Sequence, residues 1–208
     1  MKAYYLTDTG KVRSHNEDSV TILKNSNNEY LLIVADGMGG HNKGDYASKT
    51  AVRILKDLFF SKPRTASNRM WINKTVKFAN TELYHEAYED SNYEGMGTTL
   101  VFVLISNGKY YTVNLGDSRA YLFDGNHLKQ LTEDQGYVEY LIKSGQITEE
   151  EAKSHPDKHV IMNALGIYPS TYFDLKVGKY TDNSNKTLYP YWEQVSQDVT
   201  ITFNFADG

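Results

Sequence analysis

The sequence predicts an α+β fold in which antiparallel sheet is covered on its outer faces by helices, and two observations carry that expectation. Strand-like segments open the chain, two long helical repeats follow, and strands then return in quick succession. A parallel doubly wound sheet would need helices between those later strands, and residues 98–131 leave room only for tight turns.

The elements follow from local pattern. Ala3–Thr7, Val20–Leu23 and Tyr30–Ala35 have strand character, and the polar insert Lys24-Asn25-Ser26-Asn27-Asn28 reads as a hairpin loop. From about Gly44 and Asp45 the period changes: Ala47, Ala51, Ile54, Leu55 and Leu58 mark one face of a helix that ends before Pro63. A second helix carries Ile72, Val76, Ala79, Leu83 and Ala87 on its buried stripe. After Gly97 come strands at Thr98–Ile105, Tyr110–Leu115, Arg119–Phe123 and His127–Leu131. Their turns, Ser106-Asn107-Gly108 and Asp124-Gly125-Asn126, use residues that tolerate positive φ. Tyr137–Ser144 then reads as a helix stopped at Gly145, and Thr148-Glu149-Glu150-Glu151 as a capped helix start.

At 208 residues, 40% of them hydrophobic, the chain has material for one domain spanning 1–208. Twenty-two basic residues against 26 acidic give a net charge of −4, and no basic block marks a nucleic-acid or membrane-surface partner. There is no cysteine, which excludes disulfides, cysteine nucleophiles and Cys-ligated zinc; any metal must be held by oxygen or imidazole. The N-terminus lacks the apolar centre of a secretory signal, and no window reaches the roughly 18 apolar residues of a membrane span. A soluble, cytoplasmic protein is expected.

Chemistry is concentrated at strand ends. In LLIVADGMGGH (31–41) an apolar run stops at Asp36 and continues as glycines, which suits a turn or a metal ligand at the rim of a sheet. Asp18, Asp117 in NLGDSR, Asp134 in LTEDQG and Asp207 in FADG lie in comparable settings. Clustered carboxylates repel unless a cation offsets them, and a hard oxygen set suits Mn²⁺ or Mg²⁺. Two such ions about 3.5–4 Å apart activate water and hold a phosphoryl group, with no protein nucleophile. Arg13 fits either a phosphate anchor or a surface salt bridge, and His41 either a proton donor or a solvated loop histidine. Gly39 and Gly40 read as a tight turn into the helix or as a phosphate nest without a P-loop lysine.

Seven segments in order are similar to one family. RSHNEDS (13–19), VADGMGGHNKGDYAS (34–48), GMGTTL (95–100), NLGDSRAYL (114–122), QLTED (130–134), SGQITEEEAKSHP (144–156) and NALG (163–166) resemble the metal-dependent PPM/PP2C protein serine/threonine phosphatases in their compact bacterial form. The likeness covers residues 1–170, whereas 171–208 are divergent or truncated. It implies a central antiparallel β-sandwich flanked by helices and a dinuclear Mn²⁺/Mg²⁺ centre in a cleft at one edge. In that pattern Asp36 bridges the metals, the Gly37 carbonyl binds metal, Asp18 helps through water, and Arg13 holds the substrate phosphate. Asp117 belongs to an additional, third metal position. A strand over 196–208 would make Asp207 a second-metal ligand; the family continues beyond it to a later Asp-Asn ligand pair.

Gln135-Gly136 replaces the family's His-Ser, outside the metal core, with a modest effect expected. The implied activity is hydrolysis of phosphoserine and phosphothreonine by metal-activated water. The implied partners are phosphorylated proteins, the substrates of a serine/threonine kinase, and the chain is expected to act as a monomer. The alternative is a truncated phosphatase-fold module that binds phosphoprotein without turnover.

Overall fold

A computed structural model describes residues 2–40, 42–123, 126–179, 187–194 and 197–204. The elements are β1 (Lys2–Leu6), β2 (Asp18–Lys24), β3 (Tyr30–Met38), α1 (Asn42–Phe60), α2 (Asn68–Glu89), β4 (Gly97–Thr98), β5 (Leu100–Ser106), β6 (Lys109–Leu115), β7 (Arg119–Phe123), β8 (Leu128–Gln130), α3 (Tyr137–Lys143), α4 (Glu149–Lys153), β9 (Asp174–Lys179), β10 (Thr187–Gln194) and β11 (Gln197–Asn204). They form two antiparallel sheets, ordered β1-β11-β10-β7-β8 and β2-β3-β5-β6-β9, with β4 paired to β3. Among the described residues no helix is long and apolar enough to cross a membrane.

The two-residue period sorts the core. Leu31 and Ile33 of β3, with Leu100, Phe102 and Leu104 of β5, face the buried stripes of α1 and α2. Leu32 and Val34, with Val101, Val103 and Ile105, face inward and meet Ala120 and Leu131 of the other sheet. These two strands are buried on both faces, which is why LLIVA and LVFVLI are unbroken apolar runs. Trp71 joins the layers: its ring packs edge-on against Phe59 at 6.2 Å and Phe102 at 6.5 Å, and Nε1 donates to the Leu58 carbonyl at 3.2 Å.

Several boundaries differ from expectation for identifiable reasons. The strand expected over Thr98–Ile105 is interrupted at Thr99, whose side-chain hydroxyl accepts the Asp36 N–H at 3.0 Å, in place of a ladder bond to its carbonyl. β9 has only a short alternation and a glycine, and β10 contains Pro190, which reads against a strand. Pro190 sits opposite Ala120 of β7, and β11 pairs with β10 only from Tyr191 onward, so no ladder bond to β11 is lost at the proline. β11 lies within the strand expected at 196–208; Asp207 itself lies outside the described residues.

The hairpin insert is anchored from beneath. Lys62 Nζ, just past α1, donates to Glu29 Oε1 at 2.7 Å, Ser106 Oγ to the same oxygen at 2.6 Å, and Asn25 Nδ2 to Glu29 Oε2 at 2.8 Å. Lys62 and Glu29 are both buried. Removing one member strands a charge in the core, so Lys62→Met should destabilise the fold by about 3–5 kcal/mol, and Lys62→Met with Glu29→Gln by less. Denaturant unfolding of the two variants checks this; equal losses would show that the pair is not the source.

Candidate metal centre

Register brings the acids together. In the β2–β3 ladder Asp18 lies directly opposite Asp36. Gly37 N–H donates to the Glu17 carbonyl at 3.2 Å, which makes Glu17 and Gly37 a hydrogen-bonding pair and Asp18–Asp36 the narrow pair between. At such a position Cα atoms are about 4.5 Å apart and side chains are closest. The two carboxyl groups lie close enough that each shifts the other's titration.

Their environment penalises charge. Burial pushes Asp36 well above the usual carboxylate range, with the charges of Asp18 and Asp117 adding to it and Arg13 opposing. Burial also raises Asp18, against the Asp36 hydrogen bond and the Arg13 charge. Asp117 is pushed up to about 6, first by burial and then by the charge of Asp134. Asp18 Oδ2 and Asp117 Oδ1 are buried without a hydrogen-bond partner. Buried, orphaned carboxylate oxygens in a chain without thiolates fit a hard divalent cation. The described residues contain no group of three or more His, Asp or Glu side chains able to enclose an ion, so Asp18 and Asp36 form the kernel and Asp117 a neighbour.

A polar scaffold holds these acids in place. Asp36 N–H donates to Thr99 Oγ1, Thr99 N–H returns to the Asp36 carbonyl at 2.8 Å, and Thr99 Oγ1 shares a 2.7 Å hydrogen bond with Ser118 Oγ. Thr99 and Ser118 are fully buried, so the end of β3 is tied to the turn carrying Asp117. Gly116 in that turn has φ +105°, and a Cβ there would come within 2.8 Å of the Thr99 methyl. On the other side α1 begins against the end of β3: a Cβ on Gly37 would collide with the Gly44 carbonyl, and one on Gly44 with the Gly37 backbone. Gly39 and Gly40, at φ +115° and +73°, make the turn between them, as the tight-turn reading expects.

Arg13 and Glu17 stand over the acids at the wall of a cleft of about 710 Å³ that also exposes Asp36 and Gly37. Arg13 Nη1 donates to Glu17 Oε2 at 3.1 Å, and its side chain is 42% exposed. Arg13 therefore makes the surface ion pair of one reading and also lines the cleft. His15 and His159 line the same cleft. His41 lies outside the described residues. Asp134 is elsewhere, held by Arg119 through contacts of 2.9, 2.9 and 2.6 Å.

Motif spacing gave no sign of Gln135. Its Oε1 accepts from Gly116 N–H at 3.1 Å and Asn163 Nδ2 at 2.6 Å; its Nε2 donates to the Asn114 carbonyl at 3.4 Å and Asp174 Oδ2 at 3.1 Å. Its backbone pairs with Gly116 and Met162. A residue expected to matter little clamps the Asp117 turn to the segment that carries His159 and Ile161 into the cleft.

The family model described as protein phosphatase 2C matches residues 10–165. The chain belongs to the protein phosphatase 2C family. It is 41% identical over 172 residues to a serine/threonine phosphatase stp of Listeria monocytogenes, covering 80% of this chain and 68% of that one. It is 37% identical over 168 residues to protein phosphatase PhpP of Streptococcus pneumoniae, with the same coverage. Among solved structures, serine/threonine phosphatase Stp1 from Staphylococcus aureus aligns with TM-score 0.85 and 30% identity over 100% of this chain and 95% of that one. The catalytic domain of the phosphatase PstP in complex with two manganese ions aligns at TM-score 0.78 and 26% identity, over 97% and 96%. As in those 2C-type relatives, the fold is α+β with an antiparallel sheet flanked by helices.

Two measurements test the electrostatics and the scaffold. A carboxyl raised from 3.8 to about 6 stabilises the metal-free fold fully below the lower value, and that contribution is lost as pH rises through the upper one. Asp117→Asn should therefore gain stability relative to the parent between pH 4 and about 6, with a level gap above; melts of metal-free protein that show a constant gap would refute this. Gln135→Leu strands several buried partners and should cost on the order of 1–3 kcal/mol in unfolding free energy. An unchanged denaturation midpoint would remove Gln135 from the scaffold.

Proposed function

We propose that this chain is a metal-dependent protein serine/threonine phosphatase, and the observation that carries the proposal is the half-buried Asp18–Asp36 pair, whose Asp36 opens beside Arg13 onto a cleft. Asp36 and Asp18 would hold two Mn²⁺ or Mg²⁺ ions together with the Gly37 carbonyl, with Asp117 at a third position; Asp207 is the further ligand that the family resemblance implies. Cations at this place lower the pKa of bound water and offset phosphoryl charge. The chain's own groups do the rest. The Asp18 and Asp36 carboxylates would supply the negative charge that holds the cations, and the Thr99 hydrogen bonds keep the Asp36 backbone fixed.

Arg13 turns from Glu17 to the substrate phosphate, binding two oxygens and orienting the ester across the cleft. His41 is assigned the proton for the departing serine or threonine oxygen. The substrates fitting this site are phosphorylated proteins, the products of serine/threonine kinases.

Purified protein given Mn²⁺ should release phosphate from p-nitrophenyl phosphate and from a phosphothreonine peptide. Asp36→Asn should lower kcat more than about a hundredfold, beyond the loss typical of an outer-shell metal partner. Arg13→Ala should lower kcat/KM about ten- to a hundredfold, the worth of charged hydrogen bonds to phosphate. An Asp36→Asn enzyme at parental rate would sink the assignment. A single weak Mn²⁺ binding event by calorimetry, with no turnover, would instead favour a phosphoprotein-binding module.

A further inference from the structure

β2 is the edge strand of the six-stranded sheet, and among the described residues its strand partner is β3 alone. Because Glu17 pairs with Gly37, the odd-numbered residues Ser19, Thr21 and Leu23 turn their backbone polar groups toward β3. The even-numbered residues turn theirs outward. Asp18 N–H is satisfied by Asn16 Oδ1 at 2.9 Å. Val20 and Ile22 make no backbone hydrogen bond outward among the described residues.

Along this open edge runs a groove of about 460 Å³. One wall is α1, which contributes Lys49, Arg53 and Lys56; Tyr5 and Thr7 stand on the other, and Asp18 closes one end. The three cations lie at i, i+4 and i+7, one face of the helix. Lys49 is paired with Asp45 at 2.8 Å, whereas Arg53 and Lys56 have no ion-pair partner among the described residues. Asp57 is the carboxylate on the same wall. Arg53 and Lys56 thus place two cations without an ion-pair partner among the described residues beside unpaired strand backbone.

We propose that the groove docks the substrate: an extended stretch of phosphoprotein next to the phosphorylated residue adds to β2 as a new edge strand, and its acidic side chains meet Arg53 and Lys56. The proposal rests on the phosphatase reading and deepens it by naming a preferred substrate, a phosphorylated serine or threonine in an extended, acidic segment. Free N–H and C=O groups on an edge strand are a template for strand addition, and they supply affinity without selecting sequence. The cations select it, by attraction that screens with salt. Asp18 belongs both to the groove and to the carboxylate pair, so a chain lying on β2 leads directly to the metal centre.

The test uses the Mn²⁺-loaded protein with three substrates: p-nitrophenyl phosphate, which is too small to enter the groove, and two phosphothreonine peptides of equal length flanked by glutamates or by lysines. The parent should prefer the glutamate peptide. In Arg53→Glu/Lys56→Glu its KM should rise roughly five- to tenfold, as expected for reversing two exposed ion pairs, with p-nitrophenyl phosphate kinetics unchanged. A non-hydrolysable glutamate peptide should slow amide exchange at Val20 and Ile22. Unchanged KM for the glutamate peptide, or unprotected Val20 and Ile22 amides, with p-nitrophenyl phosphate turnover intact, overturns the docking alone. No turnover of any substrate by the parent overturns the phosphatase reading, and the docking with it.

Discussion

The rim of this sandwich depends on one pairing, Asp18 opposite Asp36 at a narrow position of the β2–β3 ladder. Two like charges there cost on the order of a few kcal/mol at the effective dielectric of a half-buried site. The register cannot relax to avoid them. Shifting β2 by one residue would turn Val20 and Ile22 away from the interior between the sheets, where they pack with Leu32 and Val34. Full burial of a large apolar side chain is worth about 1.5–3 kcal/mol; a slip would forfeit the partial burial of Val20 and Ile22 together, and that pattern keeps the carboxylates facing each other. Raised pKa values relieve the repulsion by favouring the neutral acids, and a bound cation would offset the charge instead.

Holding two acids together requires equally firm backbone on either side. Thr99 supplies it for β3 by giving Asp36 both a donor and an acceptor, and Ser118 extends the hold to the Asp117 turn. The glycines follow from the same crowding. Gly37 and Gly44 let the start of α1 approach the strand end, and Gly116 makes room for the Thr99 methyl. The ADGMGG stretch is thus both the turn and the candidate site: its glycines bring a helix against the strand whose last residues carry the acid.

Much of the fold was legible because its elements have strong periods: α1 and α2 show their buried stripes, and β3, β5 and β6 their apolar runs. Asp36 was legible because a carboxylate ending an apolar strand is out of place in a core. The scaffold was not. Thr99, Ser118 and Gln135 are ordinary polar residues whose importance comes from partners far along the chain, and no local pattern encodes them. β9 and β10 were missed for the opposite reason, since a glycine and a proline weaken the local strand signal while pairing with β6 and β7 supplies the structure. Gln135 shows how a substitution judged by position alone misleads: it lies away from the acids, yet it accepts the Gly116 N–H of the turn that presents Asp117.

Two arginine–carboxylate pairs, Arg13–Glu17 at the cleft and Arg119–Asp134 away from it, differ in how free the guanidinium is to serve a substrate. Arg119 grips Asp134 with three contacts of 2.6–2.9 Å, and Asp134 is 9% exposed; taking it away would leave a nearly buried carboxylate without its partner. Arg13 touches Glu17 through one contact of 3.1 Å at 42% exposure, a pair worth about 0.2–1 kcal/mol. A phosphate dianion offers two charged hydrogen bonds, each worth about 1.5–3 kcal/mol, and so competes successfully with Glu17 for Arg13. On the proposed function Glu17 would hold Arg13 at the cleft wall and release it to a substrate phosphate. The same comparison leaves Arg119 as structure: it fixes a charge that helps raise Asp117, and the arginine beside Asp36 is the one that can change partners.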